Sequence, residues 1–431
     1  MAQTEVTPTR PVVRSRRDRA VFRLRASLLA LLTVAGPGLV SGFADNDAGG
    51  ITTYSVVGAQ FGYDLMWLIL ASMLALVVTQ EVGARLGLTT GEGLMGLIRE
   101  RFGVHWTVFA VLTMLVSNVG TIVSEFAGIG AALALFGVPI PVSCAVSAAI
   151  VIALLARANF ARVQTIFVVV GLGVSVAYAV SAALAKPDWG RAATYLVVPH
   201  GTLSQTYLLA VVGTVGTTIT PWGQAFIQSY VADKRLGPKD LTASRFDISL
   251  GSFLTNLVAG FIVVACAATL WAHGQTNITT AADAARALQP LAGRAAEIIF
   301  GVGLFAASFL GLGTVPLTSA YSTSEAFGWE TGLDRTWREA PFFYGLLAFF
   351  VGFATLFVLI PGLPLISVIY LSQVLNGLLL PIILVFVFLL AGDRRVLGDL
   401  RSGRTLLSLG WFVTVSVSVM SVALVVAQIH G

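Results

Sequence analysis

Gly36-Pro-Gly-Leu-Val-Ser-Gly-Phe-Ala-Asp-Asn-Asp-Ala-Gly-Gly50 sets two carboxylates, Asp45 and Asp47, and a cluster of glycines inside a stretch, 27–59, that otherwise reads as a membrane-spanning helix. A bare carboxylate at membrane depth costs several kcal/mol unless a cation or polar group meets it, so the stretch marks a functional site. A second interruption, Gly213-Thr-Val-Gly-Thr-Thr-Ile-Thr-Pro-Trp-Gly223, lies in the apolar stretch 205–230. Pro221 removes a helix hydrogen bond and the glycines loosen the flanking turns, so both helices are expected to unwind. Unwound backbone is tolerated at membrane depth only where protein or a water-filled cavity surrounds it. A single kink of this kind is common in membrane helices. A broken first span and a broken sixth, with carboxylates in one of them, instead point to two inverted five-helix repeats around a midplane site.

The composition agrees. The 431 residues are 56% apolar and 11% charged, with mean hydropathy +0.87, too little polar surface for a water-soluble globule of this size. At roughly 20 residues per crossing, about eleven spans are expected: 27–59 (broken), 64–85, 107–136, 141–156, 159–185, 205–230 (broken), 246–272, 294–326, 341–360, 365–390 and 405–428. The fold class is therefore an all-α integral membrane protein. Its parts are a basic tail, 1–26, a ten-helix core, 27–390, and a loop with an eleventh helix, 391–431.

The arginines orient it. Arg10, Arg14, Arg16, Arg17, Arg19, Arg23 and Arg25 place the tail in the cytoplasm, and an odd number of spans puts the C-terminus outside. The basic loops at Arg99 and Arg101, Arg157 and Arg162, and Lys234 to Lys239 then fall on the cytoplasmic side, as do those at Arg335 and Arg338 and at Arg394 and Arg401. The net charge of +5 is thus a topology signal, with lipid headgroups as an equal claimant on the tail and no basis for nucleic-acid binding. The tail is too polar, and too poor in a cleavage site, for a removed signal peptide. Cys144 and Cys266 sit in apolar spans and suggest neither disulfide nor metal site. Segments 85–106 and 277–293 read as interfacial helices, and the charged connector 231–245 as either a solvated loop or an inner-gate network.

The residues also resemble a known family. Gly36-Pro-Gly38, Asp47-Ala-Gly-Gly50 and Gly58-Ala-Gln-Phe-Gly-Tyr63 are similar to the first helix of the Nramp divalent-metal transporters, whose pattern is GPG…DPGN…GAxxGY. Gln80-Glu-Val-Gly-Ala-Arg-Leu-Gly-Leu-Thr-Thr-Gly91, Glu125 with Ala131-Ala-Leu-Ala-Leu-Phe-Gly-Val-Pro139, and Leu371-Ser-Gln-Val374 extend the resemblance over spans one to ten. It implies the LeuT-like fold and transport of a divalent cation, with Asp47 as the ion ligand.

The departures refine that expectation. Gly50 stands where the family has Asn, and Thr217-Thr-Ile-Thr220-Pro221-Trp222-Gly223 stands where its sixth helix reads Ala-Thr-Val-Met-Pro-His-Asn. A soft thioether is replaced by the hard hydroxyl of Thr220 and two amides by glycines, which predicts fewer direct ligands, more room and, with Asp45, an added carboxylate. Such a set suits a small, hard, partly hydrated ion such as Mg²⁺, with Mn²⁺ also passing, and looks like the Nramp-related magnesium transporter branch. The candidate metal site is Asp47, Asp45, Ala44, Gly50, Thr217, Thr220, Gly223 and Gln373. Asp45 either serves the ion or caps the unwound half-helix.

Proton handling looks depleted. Trp222 and Ile227 occupy the family's sixth-helix His positions and Ile122 its third-helix Asp position, leaving Glu125 as a remnant proton carrier or a structural carboxylate. Uncoupled transport driven by the ion gradient and membrane potential is expected, with a proton-coupled Mn²⁺/Fe²⁺ symporter as the alternative. A sodium-coupled organic-solute symporter is disfavoured, because Asp47 would repel a carboxylate substrate. An enzyme is not expected: His105, His200, His273 and His430 all fall in loops or at the terminus, so no span supplies a histidine. Gln373 and Asn376 are read as ion ligands or as packing amides, and Gln224 with Gln228 as vestibule lining or helix packing. Asn118, Ser117 and Ser124 read as interhelical hydrogen bonds. No cofactor is expected, and the partners are the transported cation and membrane lipid, with the oligomeric state open.

Overall fold

The computed structural model describes residues 42, 45–156, 172–173, 175–332 and 335–430. The basic tail, the first half of span one, Ala44 and most of the expected fifth span fall outside these residues. Helix α1 (Ala48–Phe61) is the second half of span one, and α2 (Met66–Thr90) is span two, running five residues past its expected end. The interfacial segment then resolves into α3 (Leu94–Phe102), set off from its neighbours by Gly91 and Gly103 at φ 66° and 82°. Those are left-handed backbone angles where most side chains are strained. Helices α4 (Val104–Ala134) and α5 (Ile140–Ala156) follow, so that His105 lies in the first turn of α4 rather than in a loop.

Of the fifth span, Ser175–Leu184 is helical (α6), and α7 (Trp189–Val197) follows it with Asp188 capping its first turn. Span six is two helices, α8 (Gln205–Thr218) and α9 (Pro221–Asp233). Spans seven to eleven are α10 (Leu241–Thr269), α11 (Ala296–Phe327), α12 (Pro341–Val358), α13 (Leu365–Gly392) and α14 (Arg404–His430). Seven of these helices are long and apolar enough to cross a membrane. Pro316 and Pro381 sit inside α11 and α13 without ending them, whereas Pro221 opens a new helix. The difference lies in the residue before Pro221: Thr220 is extended (φ −75°, ψ 143°) and caps α9 with its own hydroxyl.

The helices form two groups with α13 between them. Helix α10 packs on α1 and α2, and α2 on α9; α4 packs on α11, α12 and α5, and α13 lies against α4 and α8. With lipid outside, close helix contact depends on small residues. A Cβ at Gly58 of α1 would meet the Val263 carbonyl of α10 at 2.5 Å, and one at Gly377 of α13 would strike the Val212 carbonyl of α8. The charged connector joins this packing through Leu236 and Leu241, which lie on the cluster of Ala84, Leu88, Ile227, Val231 and Ile248, and through Glu81, which accepts from Arg85 and Arg245, both at 2.7 Å. Arg85 also donates to the Leu400 carbonyl at 3.1 Å, tying α2 to the segment before α14.

Candidate metal site

Each break is capped by its own side chain. Asp47 Oδ1 accepts from Gly50 N at 2.9 Å and starts α1, and Thr220 Oγ1 accepts from Gly223 N at 3.1 Å and starts α9. Both caps are buried, at 2% exposure each. The two helix N-termini carry partial positive charge, which favours ionised carboxylates beside them. Asp45 lies in the turn two residues before the Asp47 cap. It is 1% exposed, its Oδ1 lies 3.8 Å from where a Cβ of Gly223 would stand, and neither of its carboxylate oxygens has a hydrogen-bond partner among the described residues. Asp45 therefore does not cap a helix; Asp47 does.

The glycines do not open the expected room. A Cβ at Gly50 would meet the Asp45 carbonyl oxygen at 2.7 Å, and one at Gly223 would meet the Thr220 hydroxyl at the same distance. The space that an amide would take is filled by the site's own oxygens. Gln373 also reaches the site, since its amide lies so close over α1 that a Cβ at Gly49 would collide with it, while Asp47 Oδ1 stands 3.0 Å from the same point. Its Oε1 accepts from Asn376 at 3.0 Å. Asn376 in turn bonds Thr121 and Ser117 of α4, so Asn376 is interhelical packing and Gln373 is the end of that network nearest Asp47. Asn118 bonds Ser319 of α11, as expected of an interhelical contact, while Ser124 turns back onto the Thr121 carbonyl of its own helix.

Thr217, one turn before the sixth-span break, is 1% exposed with its hydroxyl unpartnered among the described residues; its neighbour Thr218 bonds the Tyr54 hydroxyl at 2.9 Å. Glu125, fully buried, accepts from Ala48 N at 3.4 Å through Oε2 and has Asp47 as an electrostatic neighbour. Its side chain rests on Gly311 of α11, where a Cβ would come within 2.6 Å of its carboxyl carbon. Trp222 and Ile227 are fully buried; the indole stacks edge-on against Phe226 at 5.9 Å, and Ile227 packs on Gly83 of α2. Gln80 is the residue the sequence reading did not single out. It is 3% exposed, with Nε2 3.6 Å from the Gly223 Cβ position, beside Asp45. A lone amide inside the apolar run of span two was the available signal.

Towards the ends read as cytoplasmic, a cavity of about 770 Å³ is lined by Glu92, Arg99, Ser229, Glu325 and Trp329 among others. Glu92, outside the spans, is pushed above the ordinary carboxylate range by burial and by the charge of Glu100. Gln228, fully buried, donates to the Glu92 carbonyl at 2.9 Å, and Gln224, 1% exposed, has neither amide atom partnered among the described residues. Among the described residues no three His, Cys, Asp or Glu side chains gather into a metal cage.

The family model described as natural resistance-associated macrophage protein-like matches residues 38–427. The divalent metal cation transporter MntH of Ralstonia nicotianae is 30% identical over 425 residues, 93% of this chain and 92% of that protein. Among solved structures, a manganese transporter of Eremococcus coleocola superposes with a TM-score of 0.74 at 20% identity, over 92% of this chain and 86% of that one. MhsT in complex with L-phenylalanine gives 0.55 at 17% identity, over 91% and 97% of the two chains. These likenesses establish the LeuT-like fold. The match over nearly the whole chain, together with a carboxylate-bearing break in span one and a capped break in span six, makes this chain a member of the Nramp family of divalent-metal transporters.

Proposed function

We propose that the protein carries Mg²⁺, and Mn²⁺ with it, as a partly hydrated ion that moves down its gradient and the membrane potential without a coupled proton. The observation that carries this reading is Asp45: a second buried carboxylate with both oxygens unpartnered, facing the capped N-terminus of α9. Water held by a cation points its hydrogens outward and calls for acceptors around it. The oxygens of Asp45, Thr217 and Thr220 supply acceptors, and position 220 offers a hydroxyl in place of a thioether. Mg²⁺ is typically held through one or two carboxylates while it keeps several waters. A potential of 100 mV gives a divalent ion about 4.6 kcal/mol of inward drive, at roughly 2.3 kcal/mol per charge.

In this reading Asp47 and Asp45 bind the ion, Gln373 closes over it from α13, and Glu125 is structural, seated on Gly311. The tail 1–26 lies in the cytoplasm and the C-terminus outside, around a transport core of 27–390 with the final helix, 391–431, beside it. The competing reading is proton-coupled Mn²⁺/Fe²⁺ uptake, favoured by the position of Glu125 next to Asp47. Proteoliposome uptake of Mg²⁺, Mn²⁺ and Fe²⁺ with internal pH followed in parallel separates the two. Millimolar Mg²⁺ should enter and compete with Mn²⁺ while internal pH stays level. Acidification that tracks uptake, or Mg²⁺ that neither enters nor competes, overturns the proposal.

A further inference from the structure

Thr220, Gln224 and Gln228 stand four residues apart on α9, on one face of the helix. They are 2%, 1% and 0% exposed, so a column of polar side chains runs about 12 Å along a buried helix, at 1.5 Å per residue. Its upper end is the cap beside Asp45, and its lower end is Gln228, whose amide nitrogen is bound to the carbonyl of Glu92, a residue lining the 770 Å³ cavity. Between them Gln224 is an anomaly: a buried amide group left without a partner costs about 1–3 kcal/mol, and in Gln224 neither the oxygen nor the nitrogen has one among the described residues. The oxygen of Gln228 is likewise unpartnered. Helical side chains lean toward their own N-terminus, so the Gln224 amide is carried up toward the Thr220 turn rather than away from it.

The bond to Glu92 accounts for the nitrogen of Gln228, but no hydrogen bond or cap among the described residues accounts for its oxygen or for the amide of Gln224. Toward α2 the side chains of α9 that meet Gly83 and Gly87 are Ile227 and Val231, with the main-chain carbonyls of Gln224 and Gln228 beside them, so it is the backbone and not the amide groups of the glutamines that makes this contact. Amide oxygens spaced one turn apart do suit a hydrated cation, whose outward-pointing water hydrogens need an acceptor at each step.

We infer that Gln224 and Gln228 form the inward leg of the ion path, two amide stations that pass a hydrated divalent cation from the Asp47–Asp45 site to the cavity at Glu92. The inference rests on the proposed transport of a hydrated ion and adds the route by which that ion leaves the site. It separates binding from passage: the amides act on the rate of transfer and leave occupancy of the carboxylate site alone.

The test compares Gln224→Leu, Gln224→Asn and Gln228→Leu in full-length protein in liposomes, with Mg²⁺ as the transported ion and calorimetric Mg²⁺ binding in detergent as the second readout. The maximal uptake rate should fall roughly five- to tenfold in Gln224→Leu, the size of one lost hydrogen bond at a barrier. Gln224→Asn should recover most of it, Gln228→Leu should show a smaller fall, and Mg²⁺ binding should match the parent in all three. Parent-like uptake by Gln224→Leu overturns the inference. So does an equal fall in Gln224→Leu and Gln224→Asn, since keeping the amide group would then make no difference. A parent protein that carries no Mg²⁺ would instead strike the proposed function itself, so the two failures are distinguishable.

Discussion

The two helix breaks use the same local device with different chemistry. In span one, Asp47 caps the helix and accepts from a glycine three residues on; in span six, Thr220 caps and accepts from a glycine three residues on. The turns correspond residue for residue, as expected of halves related by inverted repetition. One cap is an anion and the other a neutral hydroxyl. In the proposed site the carboxylates among the described residues come from the first repeat, Asp45 beside Asp47, while the second supplies neutral oxygens and a helix N-terminus. The repeats share a backbone solution and divide the work.

Substitutions test that division. Asp47→Asn keeps a side chain able to cap α1 but removes the charge. Losing a buried charged partner costs roughly 2–5 kcal/mol, so liposome uptake should fall about thirtyfold or more while the protein still elutes as a folded species. Uptake near the parent level would mean that the charge is not what the first break contributes. Gly50→Asn, which restores the side chain usual in the family, should destabilise the protein by about 1–3 kcal/mol, because its Cβ meets a main-chain oxygen that has little freedom to move. Gly223→Asn meets only a rotatable hydroxyl and should lower the thermal midpoint less. An equal loss in both would break the asymmetry between the turns.

A smaller change is expected from Thr220→Met, which should raise Mn²⁺ or Cd²⁺ affinity several-fold relative to Mg²⁺ by supplying a soft ligand. An unchanged ranking by competition assay would remove position 220 from the ion's surroundings. The smallest effect is expected from Glu125→Gln: most of the uptake should remain, with no new dependence on external pH. A collapse of uptake in that variant would place a proton carrier at residue 125 and favour the coupled reading.

Much of this was legible in sequence, for physical reasons. Long apolar runs set the span boundaries, and α11 and α13 end within two residues of their expected limits at both ends. The breaks were legible because Pro and clustered Gly leave few alternatives at membrane depth. What the sequence could not convey was the use of the space at Gly50 and Gly223. Glycine reads as room, yet here it is the condition for a carbonyl and a hydroxyl to approach. Nor does a sequence distinguish Asn376, fixed between α13 and α4, from Gln373 three residues earlier, which reaches α1. That division is set by which helix happens to lie opposite each amide.

The cap on Asp47 also bears on calcium. One carboxylate oxygen is committed to Gly50 N, and a carboxylate so engaged is a poor chelator, because it presents a single oxygen cleanly to an approaching ion. Ca²⁺ takes six to eight oxygens and often engages a carboxylate through both at once, whereas a smaller octahedral ion is content with one. In the proposed site the Asp47 turn would therefore favour the smaller ion, and any chelation of the larger one would fall to Asp45, whose two oxygens are unpartnered among the described residues.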